Sequence, residues 1–370
     1  MLTASWGSDA PAFQALQTAG VIRAAAGGGL QASADFLGNG AVEINKYETE
    51  IIDIVLRESP VIKRFREVPS TGQPHRYFEE TAIATGGFVT ITSGAALGTP
   101  TASGPLRFER TVFIKAISAQ TNISLFDADV TRQQGQFAGV EARDIADVSA
   151  ACARQAAFAI WNGTDTSLTT PTTNQYMGLF AQINQTLQIT QGASIIDGLK
   201  QQVAYMVANS DFKVKPTAII INPVLGDYID REAKATKVTL TERTVGGVVV
   251  QALATQAGIL PLIPDPFLPK IAHGAANLYN FNDPGSGYNI YCAAILTEDM
   301  VEMPYVHGGD GNPNPRVFQL GLVGGLLGQY VGIWFNSIVA KGATGSSVPA
   351  NNYTPANTVY AHSLVGVNRP

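Results

Sequence analysis

The sequence predicts an α+β protein, and three segments carry this prediction. Beyond Pro69, apolar and polar residues alternate as they do in strands. A helical pattern runs from Phe137 to Trp161, and an amphipathic helix, an apolar strand and a second helix follow between Ser194 and Ile229. None of these segments contains a known catalytic motif, so they indicate an architecture before they indicate an activity.

The N-terminal part is expected to be extended and then helical. Residues 1–40 are rich in alanine and glycine and have no core pattern, so we expect an arm that becomes ordered against a neighbour. Ala41–Glu58 has a helical pattern, which Ser59-Pro60 ends.

A long two-stranded arm is predicted next. Its strands are Phe88–Thr92 and Leu106–Ile117, and a link rich in Gly, Pro, Ser and Thr joins them at 93–105. In the second strand Lys115 falls on the polar face, opposite the apolar set Phe108, Val112, Ile114 and Ala116. Because an isolated ribbon of two strands is marginally stable, we expect the arm to lie on another subunit.

The helix at Phe137–Trp161 would span roughly 35 Å. Asn162-Gly163 ends it, and a threonine-rich loop follows at 164–174. Its predicted buried face consists of Ile145, Val148, Cys152, Ala156, Ala159 and Ile160.

The segment Ser194–Ile229 is the most regular part of the chain. Ser194 is expected to cap the first helix together with Asp197, and Thr217–Ile221 reads as a buried strand. Asn222-Pro223 then starts the second helix in place of the glycines that a phosphate site would need. The predicted inner residues are Ile195, Ile196, Leu199, Val203, Met206 and Val207 on the first helix and Val224, Leu225, Tyr228 and Ile229 on the second.

Short strands are expected in the remainder. The predictions are a hairpin around Gly246-Gly247, a proline-rich strand connection at 260–269, strands at Ala276–Phe281 and Tyr288–Leu296, and an extended tail from Gly342. Val317–Ala340 carries no charge, and its glycines have the spacing of a packed transmembrane helix. Its glycine density and the cluster Tyr330–Phe335 favour instead two glycine-bent, buried strands.

Composition favours self-assembly over several other classes. Of the 370 residues, 45% are hydrophobic and only 14% are charged, which suits large contacts between subunits. A net charge of -5 without any basic run argues against tight non-specific binding of nucleic acid. Cys152 and Cys292 are expected to be buried small residues, and no secretory signal is recognisable.

No catalytic, cofactor or metal site is expected. The histidines, at positions 75, 273, 307 and 362, have no spacing that would place two of them together as metal ligands. The carboxylate pairs Glu79/Glu80, Asp127/Asp129 and Glu298/Asp299 are adjacent or nearly so, which rarely lets two carboxylates converge on one pocket. An α/β enzyme built on Ser194–Ile229 remains an alternative that would require such a pocket.

The order of these elements resembles the major capsid proteins of tailed bacteriophages, whose icosahedral capsid fold is shared with encapsulins. The resemblance covers roughly residues 41–341. Its most specific pieces are AAFAIWNGTDT at 156–166, MGLFAQI at 177–183 and KVKPTAIIINPVLGDYID at 213–230.

The resemblance implies the following domains: an N-terminal arm and helix at 1–66, an extended hairpin loop at 67–118, a peripheral domain with a long spine helix at 119–180, an axial domain at 181–299, strands returning to the peripheral domain at 300–341 and a C-terminal tail at 342–370. It implies a non-enzymatic virion protein, assembled in the bacterial cytoplasm into a shell of hexamers and pentamers. That shell would enclose double-stranded DNA without reading its sequence, with separate cement, scaffolding and portal proteins as further partners. The alternative is an encapsulin-like compartment that packages protein cargo.

The hairpin loop supplies the candidate contact residues between subunits. They are Glu79, Glu80, Arg107, Glu109 and Arg110, whose simpler interpretation is a solvated strand face. Some related shells are cross-linked through a lysine of this loop, but no lysine occurs between Lys63 and Lys115. We therefore expect a non-covalent shell.

Overall fold

The computed structural model describes, apart from a few single positions, residues 59–82, 104–124, 140–208, 214–238, 240–245, 248–276, 279–307, 313–323, 327–342 and 361–370. The arm predicted at 1–40, the helix predicted at Ala41–Glu58 and the strand predicted at Phe88–Thr92 lie outside these residues. Most of the predicted link at 93–105 does too. The described helices are α1 (Val140–Asn162), α2 (Leu179–Gln182), α3 (Ile195–Val207) and α4 (Pro223–Thr236), with 3₁₀ turns at Ile62–Arg64 and Glu298–Met300.

The described strands form a six-stranded sheet, an eight-stranded sheet and a two-stranded hairpin. The hairpin pairs β2 (His75–Ala82) with β3 (Leu106–Val112), whereas the sequence analysis expected Phe88–Thr92 as the partner strand and predicted no strand at 75–82. The six-stranded sheet contains β1 (Arg66–Pro69), β4 (Lys115–Ser124), β12 (Val301–Tyr305), β13 (Arg316–Val323), β14 (Leu327–Asn336) and β15 (Val339–Ala340). The eight-stranded sheet contains β5 (Thr186–Ile189), β6 (Ala218–Ile221), β7 (Thr241–Val245), β8 (Val248–Thr255), β9 (Gly258–Pro264), β10 (Lys270–Ala272), β11 (Asn289–Leu296) and β16 (Ser363–Arg369).

Helix α1 packs on the six-stranded sheet. A Cβ added at Gly332 of β14 would lie 2.6 Å from Val148 Cγ1 and 3.4 Å from Cys152 Sγ, so the helix approaches the strand where a side chain is missing. The predicted face is buried except for Ile145, which is half-buried. The glycine in this strand therefore serves helix–sheet packing.

The described residues of the uncharged segment 317–340 form mainly strands, as the sequence favoured, but β13 is not buried as predicted, because Phe318 is 44% and Leu320 is 62% exposed. β13 and β14 pair antiparallel, with an irregularity between Gln319 and Gly321. No helix of the described residues is long and apolar enough to cross a membrane.

Helices α3 and α4 cover one face of the eight-stranded sheet, where Leu199, Leu225 and Ile229 are buried with the strand residues. The prediction of an inner position is wrong for two residues, because Val207 is 37% exposed and Val224 is 46% exposed. Both stand at helix ends, where fewer atoms of the sheet cover a side chain. The predicted hairpin near Gly246-Gly247 is confirmed by the pairing of Val245 with Val248.

The C-terminal tail prediction is wrong for the last ten residues. Ser363–Arg369 is β16, which lies between β5 and β11 inside the eight-stranded sheet. Leu364, Val365 and Val367 are fully buried there. The sequence suggested a tail because the preceding stretch is polar, whereas both partner strands lie far away in the chain.

Three other strand assignments change. Residues 276 and 279–281 of the predicted strand Ala276–Phe281 form no strand, and Tyr279 and Asn280 have left-handed backbones with φ of 46° and 66°. The proline-rich segment at 260–269, predicted as a connection, forms a strand in its first half, because β9 extends to Pro264. The predicted strand Leu106–Ile117 is interrupted at Phe113, because β3 pairs with β2 while β4 pairs with β14.

Candidate functional site

The hairpin has one exposed and one covered face. On β2, Arg76, Phe78 and Glu80 are exposed, while Tyr77 and Glu79 are half-buried. On β3, Arg107 and Glu109 are exposed, and Arg110 and Val112 are buried. We call Arg76, Phe78, Glu80, Arg107 and Glu109 the outer face of the hairpin.

The charges of the outer face pair with one another across the two strands. Arg107 Nε lies 2.9 Å from Glu80 Oε2, and Arg76 Nη1 lies 3.0 Å from Glu109 Oε1. Phe78 stands between these pairs and is 72% exposed. The outer face therefore presents a large apolar side chain framed by two arginines and two glutamates whose charges balance.

Glu79 and Arg110 form an ion pair on the covered face. Arg110 Nε donates to Glu79 Oε2 at 3.1 Å, and Glu79 Oε1 accepts a hydrogen bond from the amide of Gly342 at 3.0 Å. Lys341 Nζ lies 5.1 Å from the centre of the Tyr77 ring. These contacts hold the hairpin against Lys341 and Gly342, the two residues that directly follow β15.

All five candidate residues thus have partners within one chain. The sequence identified the charged positions but missed Arg76, which pairs with Glu109. It also missed Gly342, whose amide has no signature in the sequence. Alternation along β2, a strand that the sequence analysis did not predict, is the signal that could have linked Arg76 to the outer face.

Lys115 holds the base of the hairpin to the threonine-rich loop. Its Nζ lies 2.7 Å from Asp165 Oδ2 and 2.5 Å from the carbonyl oxygen of Thr173. Ala116 is exposed, so the chain reverses its predicted faces after Ile114, and Lys115 points inward. Burial alone would raise the pKa of Asp165, but hydrogen bonds from Lys115 and Thr172 lower it to about 2.

A buried carboxylate joins α1 to the segment before β1. Asp265 Oδ2 accepts hydrogen bonds from Trp161 Nε1 and Ser59 Oγ, both at 2.9 Å, and Oδ1 accepts from the amide of Phe267 at 3.0 Å. Burial raises the pKa of Asp265, and these three hydrogen bonds oppose the rise. Through these hydrogen bonds Asp265 holds the end of α1, the segment before β1 and the turn after β9 together.

Two glycines form a close backbone crossing at the end of α1. A Cβ at Gly163 would lie 2.4 Å from the Tyr176 carbonyl oxygen, and a Cβ at Gly178 would lie 2.5 Å from the Trp161 carbonyl oxygen. Thr164 and Met177 form an isolated antiparallel bridge beside them. The two glycines belong to the AAFAIWNGTDT and MGLFAQI segments, and the crossing explains why both segments need glycine.

Glu232 of α4 caps the first turn of α3 from outside that helix. Its carboxylate accepts hydrogen bonds from the amides of Ile195 and Ile196 at 2.8 and 3.2 Å, and from Ser194 Oγ at 2.6 Å. Ser194 also caps the amide of Asp197, as predicted. A carboxylate at a helix N-terminus is favourable, so this contact fixes the two helices to each other.

Of the four histidines, His362 alone is buried. It donates from Nε2 to the Lys341 carbonyl at 3.0 Å, and accepts at Nδ1 from the amide of Thr297 at 3.4 Å. Burial lowers its pKa to about 4, and the hydrogen bond to Lys341 only partly opposes the shift. In the described part of the chain, no group of three or more His, Cys, Asp or Glu could hold a metal ion.

Both cysteines are buried, as expected, and burial raises the pKa of each thiol.

Comparison with solved structures shows the capsid fold. The chain is 11% identical to a protein in the head structure of Helicobacter pylori bacteriophage KHP40, with a TM-score of 0.61 over 90% of this chain and 96% of that one. It is 15% identical to a protein of Gordonia phage Cozz, with a TM-score of 0.57 over 94% and 98%. It is 12% identical to the SrpI encapsulin of Synechococcus elongatus PCC 7942, with a TM-score of 0.50 over 91% and 95%.

Comparison with curated protein sequences gives no match. A family model does match: that of the SU10 major capsid protein aligns with residues 28–284, which is more than half of the chain. The chain therefore belongs to the SU10 major capsid protein family, and it is a bacteriophage major capsid protein.

Proposed function

We propose that this chain assembles into a closed icosahedral shell of hexamers and pentamers that encloses double-stranded phage DNA. The family match carries the proposal, and the hairpin provides a surface suited to it. The net charge of -5 would allow the inner wall to contain DNA without gripping it. The chain would have no enzymatic role, and assembly would take place in the cytoplasm of the bacterial host.

The two main sheets support an assignment of domains. The strands of the eight-stranded sheet come from residues 186–296 and from β16, and we assign this sheet with α3 and α4 to an axial domain. The six-stranded sheet and α1 would form the peripheral domain, with α1 as its spine helix. The final strand would add a C-terminal piece to the axial domain, in place of the last part of the tail expected at 342–370.

The outer face of the hairpin is our candidate for contact with a second copy of the chain. Glu80, Arg107 and Glu109 already have partners in their own chain, so a neighbour could cover them without leaving a charge unpaired. Phe78 would then supply the apolar anchor, and the ion pairs around it would exclude water. This replaces the expectation that the five charged residues form salt bridges between subunits: Glu79 and Arg110 face inward and would position the hairpin.

An encapsulin-like shell that holds protein cargo is the second candidate, since the fold is also similar to that of the SrpI encapsulin. Electron microscopy of the purified full chain tests for shells under both functions, and the contents separate them. Nuclease-protected DNA inside particles isolated from infected cells would support the phage capsid, whereas particles filled with a co-purifying enzyme would support the compartment. Separate scaffolding, cement and portal proteins stay predictions, which the composition of the same particles would test.

A further inference from the structure

The chain passes between the two main sheets three times, after β4, after β11 and after β15, and the last two crossings are hydrogen-bonded to each other. One of these two crossings runs from β11 through the 3₁₀ turn to β12, and the other connects β15 to β16. The amide of Lys341 donates to the Met300 carbonyl at 2.8 Å, and Thr297 Oγ1 donates to the Ala361 carbonyl at 2.8 Å. His362 bonds to both crossings, through Thr297 and Lys341.

One peptide unit of this region also contacts the hairpin. The carbonyl of Lys341 accepts from His362 Nε2, while the amide of Gly342, in the same peptide plane, donates to Glu79 Oε1. A peptide plane is rigid, so a rotation that moves its oxygen away from His362 also moves its N–H away from Glu79. Gly342 has a φ of 72°, a backbone conformation that other residues rarely adopt and that holds the amide in this direction.

Largely buried charged side chains surround the N–H side of this peptide unit, which faces the hairpin. The side chains of Glu79 and Arg110 are 13% and 8% exposed, and Lys341 Nζ lies 2.6 Å from Glu302 Oε2 of β12. Hydrogen bonds to buried charged groups are stronger than those between neutral groups at a surface. A change in the direction of β2 would therefore act on the Lys341–Gly342 peptide through the carboxylate of Glu79.

We propose that the Lys341–Gly342 peptide couples the position of the hairpin to the last two crossings between the two main sheets. A neighbour that displaces the hairpin would loosen Thr297–Val301 and the start of β16, and a change in the angle between the sheets would move the hairpin. The coupling works in both directions because both bonds belong to one peptide unit. It needs no second chain, so it can be tested without any assembled shell.

Amide hydrogen exchange on the unassembled full chain tests the coupling. Glu79→Ala removes the acceptor for Gly342, and we expect exchange at Thr297–Val301 and Ala361–Leu364 to become about tenfold faster or more, as loss of a hydrogen bond to a charged group predicts. The matched control is Arg110→Met, which breaks the same buried ion pair but keeps Glu79 as the acceptor for Gly342, and it should leave both crossings unchanged. Unchanged exchange at the crossings in Glu79→Ala would overturn the proposal, and so would equal acceleration in the control.

A second variant tests the coupling from the opposite end. His362→Gln disturbs the bond to the Lys341 carbonyl, and exchange at Arg76–Glu80 should become faster although this substitution lies outside the hairpin. If Glu79→Ala does not fold, this variant decides the question. Faster exchange in β2 supports the coupling, and unchanged exchange in β2 contradicts it.

Discussion

Lys115 and Asp165 form a buried ion pair, with 2.7 Å between Nζ and Oδ2, that joins the base of the hairpin to the loop after α1. The same carboxylate accepts hydrogen bonds from the amide and hydroxyl of Thr172 at 2.9 and 2.8 Å. The pair therefore fixes both the direction in which the hairpin leaves the sheet and the shape of the threonine-rich loop.

Replacing Lys115 with methionine should lower the free energy of unfolding by about 3 kcal/mol, because Asp165 would remain buried without its cation. Urea unfolding of the unassembled chain measures this. Arg107→Met, which removes the cation of an exposed pair, is the matched control and should cost less than about 1 kcal/mol. Equal costs for the two variants would show that the buried pair has no special role.

Gly178→Ala should strongly destabilise the chain. Its added methyl group would lie 2.5 Å from the Trp161 carbonyl oxygen and 2.6 Å from the Gly163 nitrogen, and backbone atoms have little room to move. We expect a loss of about 3 kcal/mol or more, at the upper end of overpacking costs. Gly72→Ala is the control, since a Cβ there meets nothing within 4 Å, and thermal unfolding of both variants gives the comparison. A wild-type melting temperature for Gly178→Ala would contradict the close crossing.

His362 should make the chain less stable in mild acid. Because the fold lowers the pKa of this base to about 4, the unfolded chain takes up a proton near pH 6.5 while the folded chain does not. The stabilisation is thus fully present above pH 6.5 and is lost as the pH falls to about 4, by up to roughly 3 kcal/mol.

Chemical unfolding of His362→Gln at pH 7, 5.5 and 4 would test this, since the variant should lose that part of the pH dependence. His273→Gln, which changes an exposed histidine, should keep it. The explanation fails if His362→Gln weakens with acid as much as the wild-type chain does.

Phe78→Ala should impair assembly while the chain itself stays as stable as wild type. An exposed side chain contributes little to the monomer, whereas an aromatic anchor at an interface is commonly worth 2 kcal/mol or more. We expect a fall of about tenfold or more in assembled material by sedimentation. Tyr205→Ala changes another exposed aromatic residue, which lies on α3, and serves as the control. If both variants assemble like wild type, the outer face is not the contact surface.

Local patterns predicted the elements whose signal lies within one segment. The capping of α3 by Ser194, the start of α4 at Asn222-Pro223 and the buried face of α1 all follow from residues a few positions apart. β16 could not be found in this way, because its burial depends on β5 and β11, which are distant in sequence.

In the candidate site, too, local sequence patterns predict the residues but not their distant partners. The sequence identified Glu79 and Glu80 as charged positions of the hairpin loop, but it did not reveal that Gly342 covers Glu79. Similarly, Glu232 looks like an ordinary surface residue of α4, and its role appears only when α3 lies beside it. The residue types were thus predictable, whereas their partners required the fold.

Electron microscopy of the purified full chain under assembly conditions tests the central claim most directly. The account predicts closed shells with icosahedral symmetry, in which the hairpin of one chain contacts a neighbouring copy through Phe78. A chain that remains a monomer under every assembly condition, or one that forms only open aggregates, would contradict it.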